Sequence, residues 1–332
     1  MRAWRSPGTL GGVELDGLYM VGCYMWPHRV LDLDGKDEDP ADLERVRWVF
    51  NAPEMPVHVT ADGGMFVEVP DRFPRPEGAR HRVSVEPDDP QLEFAHAACD
   101  AINLVVFELS LANVVGEPAA PFHLVPAELQ DGCIRPLLLG HGAHQSDVRG
   151  RPARARAGTH EPGPESWRFR VSHEAATIPP LDGFLNLPNS LKLATVHSMA
   201  PALGAGSYYH WFQQRFGEAL LASWMVVEQY IDLLWSRRVA GMKGPRIGRL
   251  RDQRTYSATV RTEVLQTEGS IDADVAETIH DARSRRNRMV HRGSPTRYED
   301  ARSGIDALEC VLDAVCGPGG ARPQQLLLSI MW

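Results

Sequence analysis

The chain has 332 residues, of which 43% are hydrophobic and 23% are charged. This length suits two domains, and the composition excludes disordered and fibrous proteins. The sequence has no apolar run of about eighteen residues and no continuous apolar segment near its start, so it predicts neither a membrane span nor a signal peptide. We therefore expect a cytoplasmic protein with no membrane contact.

The five cysteines show no CxxC spacing, so the sequence predicts neither a disulfide framework nor a metal site. The net charge of −8 is unevenly distributed. Between Arg237 and Arg297, fourteen Arg and Lys residues stand against seven Asp and Glu residues, which leaves this stretch with a net charge of +7. A basic stretch within an acidic protein indicates an anionic partner for that stretch.

The first half of the chain predicts a mixed strand and helix domain. Short β-like runs are separated by turns rich in Pro, Gly and Asp. A long apolar helix is predicted to start after Pro90 and to end near Gly116, and the Gly-, Pro- and Arg-rich segment 144–166 is predicted to be a loop. The predicted strands are 18–26, 46–50, 55–60, 65–70, 81–86, 133–140 and 167–172.

The second half of the chain changes to a spacing of three and four between apolar residues, which is typical of helices. Four helices are predicted, at 208–238, 254–268, 271–292 and 296–316. The first of them carries an apolar stripe of Tyr209, Phe212, Phe216, Leu220, Val227, Tyr230 and Leu234. The fold class is therefore α+β, with a mixed domain at 1–185, an all-α four-helix bundle at 186–320 and an apolar tail at 321–332.

The third helix of this bundle ends in the sequence RRNRMVHRG, residues 285–293. An arginine, Arg286, falls in line with the apolar stripe of this helix, where an unpaired charge is costly. Asn287 and His291 are four residues apart and so share one face, about 100° around the helix from Arg286. The predicted stripe consists of Val275, Ile279, Ala282, position 286 and Val290.

Two explanations account for this basic helix end. In the first, the arginines and His291 only complement the negative end of the helix dipole. In the second, the inward Arg286 opens onto an anion, and Asn287 and His291 lie beside it. The flanking arginines that would then contact RNA phosphates are Arg283, Arg285, Arg288 and Arg292.

The sequence RNRMVH, on the third helix of a four-helix C-terminal bundle, resembles the signature of the HEPN superfamily (higher eukaryotes and prokaryotes nucleotide-binding domains). That signature is an Arg, a polar residue directly after it and a His four to six positions beyond the Arg. Arg286, Asn287 and His291 match it. The resemblance covers roughly residues 190–320, and the two-part layout is similar to Apea-like bacterial HEPN proteins linked to abortive infection.

The resemblance implies a metal-independent endoribonuclease without a cofactor, a toxin or antiphage effector that cleaves tRNA or mRNA to 2′,3′-cyclic phosphate ends. Arg286 would hold the scissile phosphate, Asn287 would orient a neighbouring group, and His291 would act as acid or base. Glu228, on the first long helix, is a candidate partner for Arg286 or His291; a surface glutamate is the alternative. Because each chain offers one motif histidine, a homodimer with a composite cleft is expected.

Other functions stay open at this level. A non-catalytic HEPN module would bind RNA or nucleotide and dimerise. In a third arrangement, the chain is the regulated half of a partner enzyme that transfers or binds nucleotides. The N-terminal domain is expected to sense a trigger, such as a phage-derived molecule, or to restrain activity together with a cognate regulatory protein.

Overall fold

The computed structural model describes residues 18–24, 45–51, 55–60, 63–70, 72, 90–111, 116–136, 199–240, 242, 247–250, 252 and 255–316. The predicted strands at 81–86 and 167–172, the predicted loop at 144–166 and the tail at 321–332 lie outside these residues. The predicted domain boundary at residues 185 and 186 also lies outside them.

Within the described residues, an antiparallel sheet precedes a series of helices, which confirms the predicted α+β class. The sheet has six strands in the order β2-β3-β4-β1-β5-β6, and every neighbouring pair is antiparallel. The strands are β1 (Leu18–Tyr24), β2 (Val46–Asn51), β3 (Pro56–Thr60), β4 (Gly64–Glu68), β5 (Val125–Gln130) and β6 (Cys133–Pro136).

The sheet curls so that its two edge strands approach each other. Arg45 forms a bridge with Cys133, and the backbone N–H of Val46 donates to the carbonyl of Gly132 at 2.9 Å. Alternate residues of a strand share one face, and this spacing brings apolar side chains from several strands together. The resulting buried cluster is Met20, Val46, Phe66, Ala127, Leu129 and Ile134.

Strand β5 was not predicted, although its hairpin carries a local signal. The strand sequence VPAELQ has few β-branched residues and a proline at its second position. The turn that follows is Asp131-Gly132, and both residues have positive φ, at 52° and 74°. A two-residue hairpin turn of type I′ needs this conformation, and Asp-Gly favours it.

Helix α1 (Pro90–Leu111) begins at Pro90 itself, one residue before the predicted start. A proline fits there, because the backbone N–H groups of the first helical turn have no hydrogen-bond partner within the helix. Its buried Asn103 holds the backbone of Ala119, accepting from its N–H at 2.6 Å and donating to its carbonyl at 3.0 Å. Among the described helices, α1 is long and apolar enough to cross a membrane by length and composition alone. However, 67% of its most apolar window is buried, as in the core helix of a folded domain.

The described residues from 199 to 316 are mainly helical. Their long central helix, α3, packs against α2 and α7 most extensively and against α5 and α6 to a smaller extent. Trp224 and Tyr230 on α3 are among the largest fully buried side chains. The helices are α2 (Met199–Phe212), α3 (Phe216–Ala240), the short α4 (Ile247–Leu250), α5 (Ala258–Thr267), α6 (Ala273–Arg292) and α7 (Tyr298–Cys316).

The prediction of one continuous helix from residue 208 to 238 is wrong, because the chain breaks between α2 and α3. Gln214 adopts a left-handed conformation with φ of 59°. Around it, the N–H of Arg215 donates to the carbonyl of His210, and that of Gln214 donates to Trp211. This pattern is a Schellman closure, which ends a helix. The predicted stripe fails at the same place, since Phe212 is 42% exposed, whereas Leu220, Val227 and Tyr230 are buried.

The chain divides into two compact units, and the division is not contiguous in sequence. The first unit holds the sheet. The second holds the helices from α2 onward, and the segment Phe107–Pro118, which includes the last turn of α1, groups with it. Within the second unit, the Phe107 ring packs directly against Gly204 of α2.

Candidate functional site

Helix α6 carries the predicted motif, and local signals define both of its ends. The Asp272 carboxylate caps the N-terminus by accepting the N–H of Val275 at 2.8 Å. At the C-terminus, Gly293 has a φ of 61°, and its N–H donates to the carbonyls of Arg288 and Met289. The C-terminal end agrees with the sequence prediction, whereas the helix begins at Ala273, two residues after the predicted start, because Asp272 is its N-cap. Gly293 ends the helix directly after His291 and Arg292.

The predicted apolar stripe of α6 is correct only in the middle of the helix. Ile279 and Ala282 are buried, together with Ala276, which the prediction left out. Val275 is only half-buried and Val290 is 48% exposed. The prediction that Val290 belongs to the core is therefore wrong, although it lies on the same side of the helix as Ile279.

The length of α5 explains why the core-facing side of α6 becomes exposed near its end. The ten residues of α5 span about 15 Å, whereas the twenty residues of α6 span about 30 Å. A short turn joins the two helices, and Glu263 of α5 contacts His280 of α6 at 2.9 Å. Helix α5 therefore runs beside the first half of α6 only, and it cannot cover the last two turns, where the motif lies.

Arg286 and Asn287 are in direct contact. Nη1 of Arg286 donates to Oδ1 of Asn287 at 2.9 Å, and both side chains are half-buried. Nε of Arg286 is buried and has no hydrogen-bond partner among the described residues. A buried donor without a partner costs about 1–3 kcal/mol, and more when it is charged. An anionic oxygen that accepted this N–H would remove that cost.

His291 lies one helical turn beyond Asn287 on the same side of α6. Its side chain is exposed. No hydrogen bond or ion pair connects it to another described residue. The imidazole is therefore accessible to a substrate from outside the chain.

Glu228 does not reach Arg286 or His291. It is half-buried on α3, and no ion pair with either residue occurs among the described part of the chain. The expected pairing with Arg286 is therefore not present within one chain. Other acidic groups on or next to α3 and α5 do form ion pairs, among them Asp232, which binds the buried Arg261, and Glu268, which binds Arg238.

The four flanking arginines differ in how they are bound. Arg285 forms ion pairs with Asp281 at 2.7 Å and with Asp300 at 2.9 Å. Its charge is already compensated, which argues against the predicted RNA contact. Arg288 is exposed and lies 3.9 Å from Asp300. Arg283 and Arg292 have no ion-pair partner among the described residues.

The end of α6 lies against the beginning of α3. A Cβ built on Gly217 would lie 3.4 Å from Sδ of Met289 and 3.1 Å from Oγ1 of Thr296. At the other end of α3, Arg238 pairs with Glu268, close to the start of α6. The two helices are therefore antiparallel.

An apolar strip is exposed along this junction. Leu221 follows Gly217 by one turn on the same side of α3, Met225 follows by another, and they are 37% and 44% exposed. With Val290 of α6 they form what we call the uncovered strip. It lies at the end of α6 that also carries Arg286, Arg288 and Arg292.

The residues that the sequence analysis did not single out are Asp281 and Asp300. Asp281 has a readable signal, because it precedes Arg285 by four positions on one helix. Asp300 has none, since its contact with Arg285 joins two helices.

No protein-family model matches the chain, and no curated protein or solved structure matches it.

Proposed function

We propose that α2, α3, α6 and α7 are the four-helix bundle of a HEPN-type domain, with α2 as a member instead of α5, which corresponds to the predicted helix at 254–268. We further propose that the protein is a metal-independent endoribonuclease of antiphage or abortive-infection type. The observation that carries this proposal is the state of Arg286. Its guanidinium is held by Asn287 on one side, its Nε lacks a partner, and an exposed histidine follows one turn later. A purely dipole-capping arginine has no need for such an arrangement.

The reaction uses the ribose 2′-oxygen as the nucleophile. A base takes the 2′-OH proton, a bond forms between O2′ and phosphorus, the bond from phosphorus to O5′ breaks, and an acid protonates O5′. The products are a 2′,3′-cyclic phosphate and a free 5′-OH. In this proposal Arg286 donates to the non-bridging oxygens and offsets their growing charge, Asn287 orients the guanidinium, and His291 transfers one of the two protons.

The first test is incubation of the purified protein with tRNA and with total RNA in excess EDTA. We expect cleavage to continue without divalent metal, with 2′,3′-cyclic phosphate at the new ends. RNA ends that carry the cyclic phosphate resist ligation at their 3′ side. They should become ligatable once the phosphate has been removed enzymatically. Binding of RNA without cleavage would instead favour the non-catalytic HEPN module. Cleavage that stops in EDTA and returns with Mg²⁺ would contradict the metal-independent mechanism.

We further propose that two chains form one site. His291 supplies one proton-transfer group per chain, while the reaction needs two. The uncovered strip of Leu221, Met225 and Val290 is an apolar surface beside the motif, suited to a second copy. Glu228 lies two turns beyond Leu221 on the same side of α3, so it can contact a group of the second chain.

The dimer is tested by sedimentation velocity. We expect the wild-type protein to sediment as a dimer at tens of micromolar, and Met225→Glu to sediment as a monomer with little activity, because a buried unpaired charge opposes association. Val260→Glu is a matched control, since Val260 of α5 is exposed to a similar extent, 39%, outside the strip. A strict monomer that still cleaves RNA would rule out a composite site.

A further inference from the structure

Two carboxylates on different helices hold the side chain of Arg285. Nε of Arg285 donates to Oδ2 of Asp281 on α6 at 2.7 Å, and Nη1 donates to Oδ1 of Asp300 on α7 at 2.9 Å. We call Asp281 and Asp300 the carboxylate clamp. The contact with Asp300 links the motif-bearing end of α6 to the first turn of α7.

Both carboxylates are themselves held by α7 and by the segment before it. Oδ2 of Asp281 also accepts the hydroxyl of Ser303 at 2.7 Å, and Oδ2 of Asp300 accepts the backbone N–H of Arg297 at 2.9 Å. Burial alone would raise the pKa of Asp281, but the hydrogen bonds from Arg285 and Ser303 outweigh it and lower the pKa. Asp281 is therefore charged at neutral pH, and each carboxylate of the clamp accepts a hydrogen bond from Arg285 and one more from α7 or the segment before it.

The last turns of α6 carry several arginines, so the orientation of these turns decides which arginine faces a substrate. Arg285, Arg286 and Arg288 occupy three of four consecutive positions, and neighbouring residues point about 100° apart around a helix. A modest rotation of the last turns about the helix axis would bring a different arginine toward the substrate. Helix α5 does not extend to these turns, so contacts with the start of α3 and with α7 restrain their rotation, and the ion pair with Asp300 is the charged one among them.

We propose that the carboxylate clamp is the positioning device of the motif. By binding Arg285 on the α7 side, Asp300 and Asp281 set the rotation of the last two turns of α6 and direct Arg286 and Asn287 away from α7. Asp300 is the principal positioning residue, because it binds Arg285 directly from α7, whereas Asp281 lies on the same helix as Arg285 and reaches α7 through Ser303. The catalytic part of this inference rests on the proposed ribonuclease function, whereas the positional part does not.

Asp300→Asn tests the proposal, because it removes the charge while keeping the shape of the side chain. We expect kcat to fall on the order of ten-fold, while KM stays within about two-fold, since misplaced groups weaken the transition state more than binding. Asp300→Glu keeps the carboxylate and should recover most of kcat. The matched control is Asp306→Asn on the same helix, which breaks the ion pair with Arg302 and should change neither constant.

A second measurement reports position without any assay of activity. Met289 lies in the same turns of α6 and contacts the start of α3, so its ¹³C-labelled methyl group senses a rotation of the helix end. Its NMR signal is assigned by its loss in Met289→Leu. We expect the signal to shift in Asp300→Asn and to stay in place in Asp306→Asn.

The outcomes separate the clamp from the proposed function. If the Met289 signal shifts but the wild-type protein cleaves no RNA, the clamp stands and the ribonuclease proposal fails. If the signal stays in place in Asp300→Asn, or if Asp306→Asn shifts it equally, the clamp is overturned. A fall in kcat that Asp306→Asn reproduces, in step with lost thermal stability, also overturns it.

Discussion

His291→Ala is expected to abolish RNA cleavage while leaving the fold intact. Loss of a group that transfers a proton in the transition state costs about 100- to 10,000-fold in rate. His291 is exposed and no described residue binds it, so the free energy of unfolding should change by no more than about 0.5 kcal/mol. The initial rate of cleavage of a labelled tRNA and a urea unfolding curve measure the two effects.

Arg286→Ala is expected to abolish cleavage too, with a different effect on stability. The side chain is half-buried and hydrogen-bonded to Asn287, but it makes no ion pair with Glu228. Its removal therefore leaves no buried carboxylate unpaired, and we expect a cost of about 1 kcal/mol for the lost hydrogen bond and packing. A loss of several kcal/mol would indicate a buried partner.

Arg288→Ala is the control for these two variants, because Arg288 is an exposed cation in the same turns. It should weaken RNA binding and reduce the slope of log affinity against log salt concentration by about one. Its cleavage rate at saturating RNA should stay close to that of the wild type. If all three variants lose activity in proportion to lost binding, the helix end is only a basic patch and the catalytic assignment fails.

Gly304→Ala is expected to destabilise the helical unit, contrary to the helix preference of alanine. A Cβ at position 304 of α7 would lie 3.0 Å from Cδ1 of Leu220 and closer still to Oγ of Ser223. The Ser223 hydroxyl is fixed by the carbonyls of Ala219 and Leu220, so it cannot easily move aside. Overpacking of this kind costs about 1–3 kcal/mol.

Gly206→Ala on α2 is the matched control for Gly304→Ala on α7. The nearest atom to a Cβ there is Cγ of Pro118, at an ordinary distance of 3.7 Å. Alanine should therefore stabilise this helix by up to about 1 kcal/mol. Urea midpoints of the two variants should move in opposite directions. Movement of both midpoints upward would show that α3 and α7 are less closely packed at Gly304 than the structure indicates.

Local chemistry explains which parts of the fold the sequence predicted. The ends of α6 follow from Asp272 and Gly293, whose effects act within one turn. The break at Gln214 was not predicted, because a left-handed residue there is usually glycine and the neighbouring residues carry no other signal. The weak strand β5 depends on its neighbours β1 and β6 more than on its own residues.

The candidate site shows the same division between local and long-range information. The sequence placed Asn287 and His291 on one side of α6, since that depends on helix geometry alone. It misassigned Val290 and did not indicate the ion pair of Arg285 with Asp300, because the burial of Val290 and this pairing of Arg285 depend on which helices lie alongside. The length of α5 decides whether Val290 is buried, and Asp300 of α7 decides whether the charge of Arg285 is compensated from another helix.

The segment Phe107–Pro118 makes the helical unit discontinuous in sequence, so the chain enters it twice. A fragment that starts at residue 186 would lack Phe107, whose ring occupies the space beside Gly204, and it would have to fold around that void. Truncation would therefore remove a piece of the core of the helical unit along with the sheet. Altered activity in such a fragment would report a damaged core before it reported the loss of a regulator.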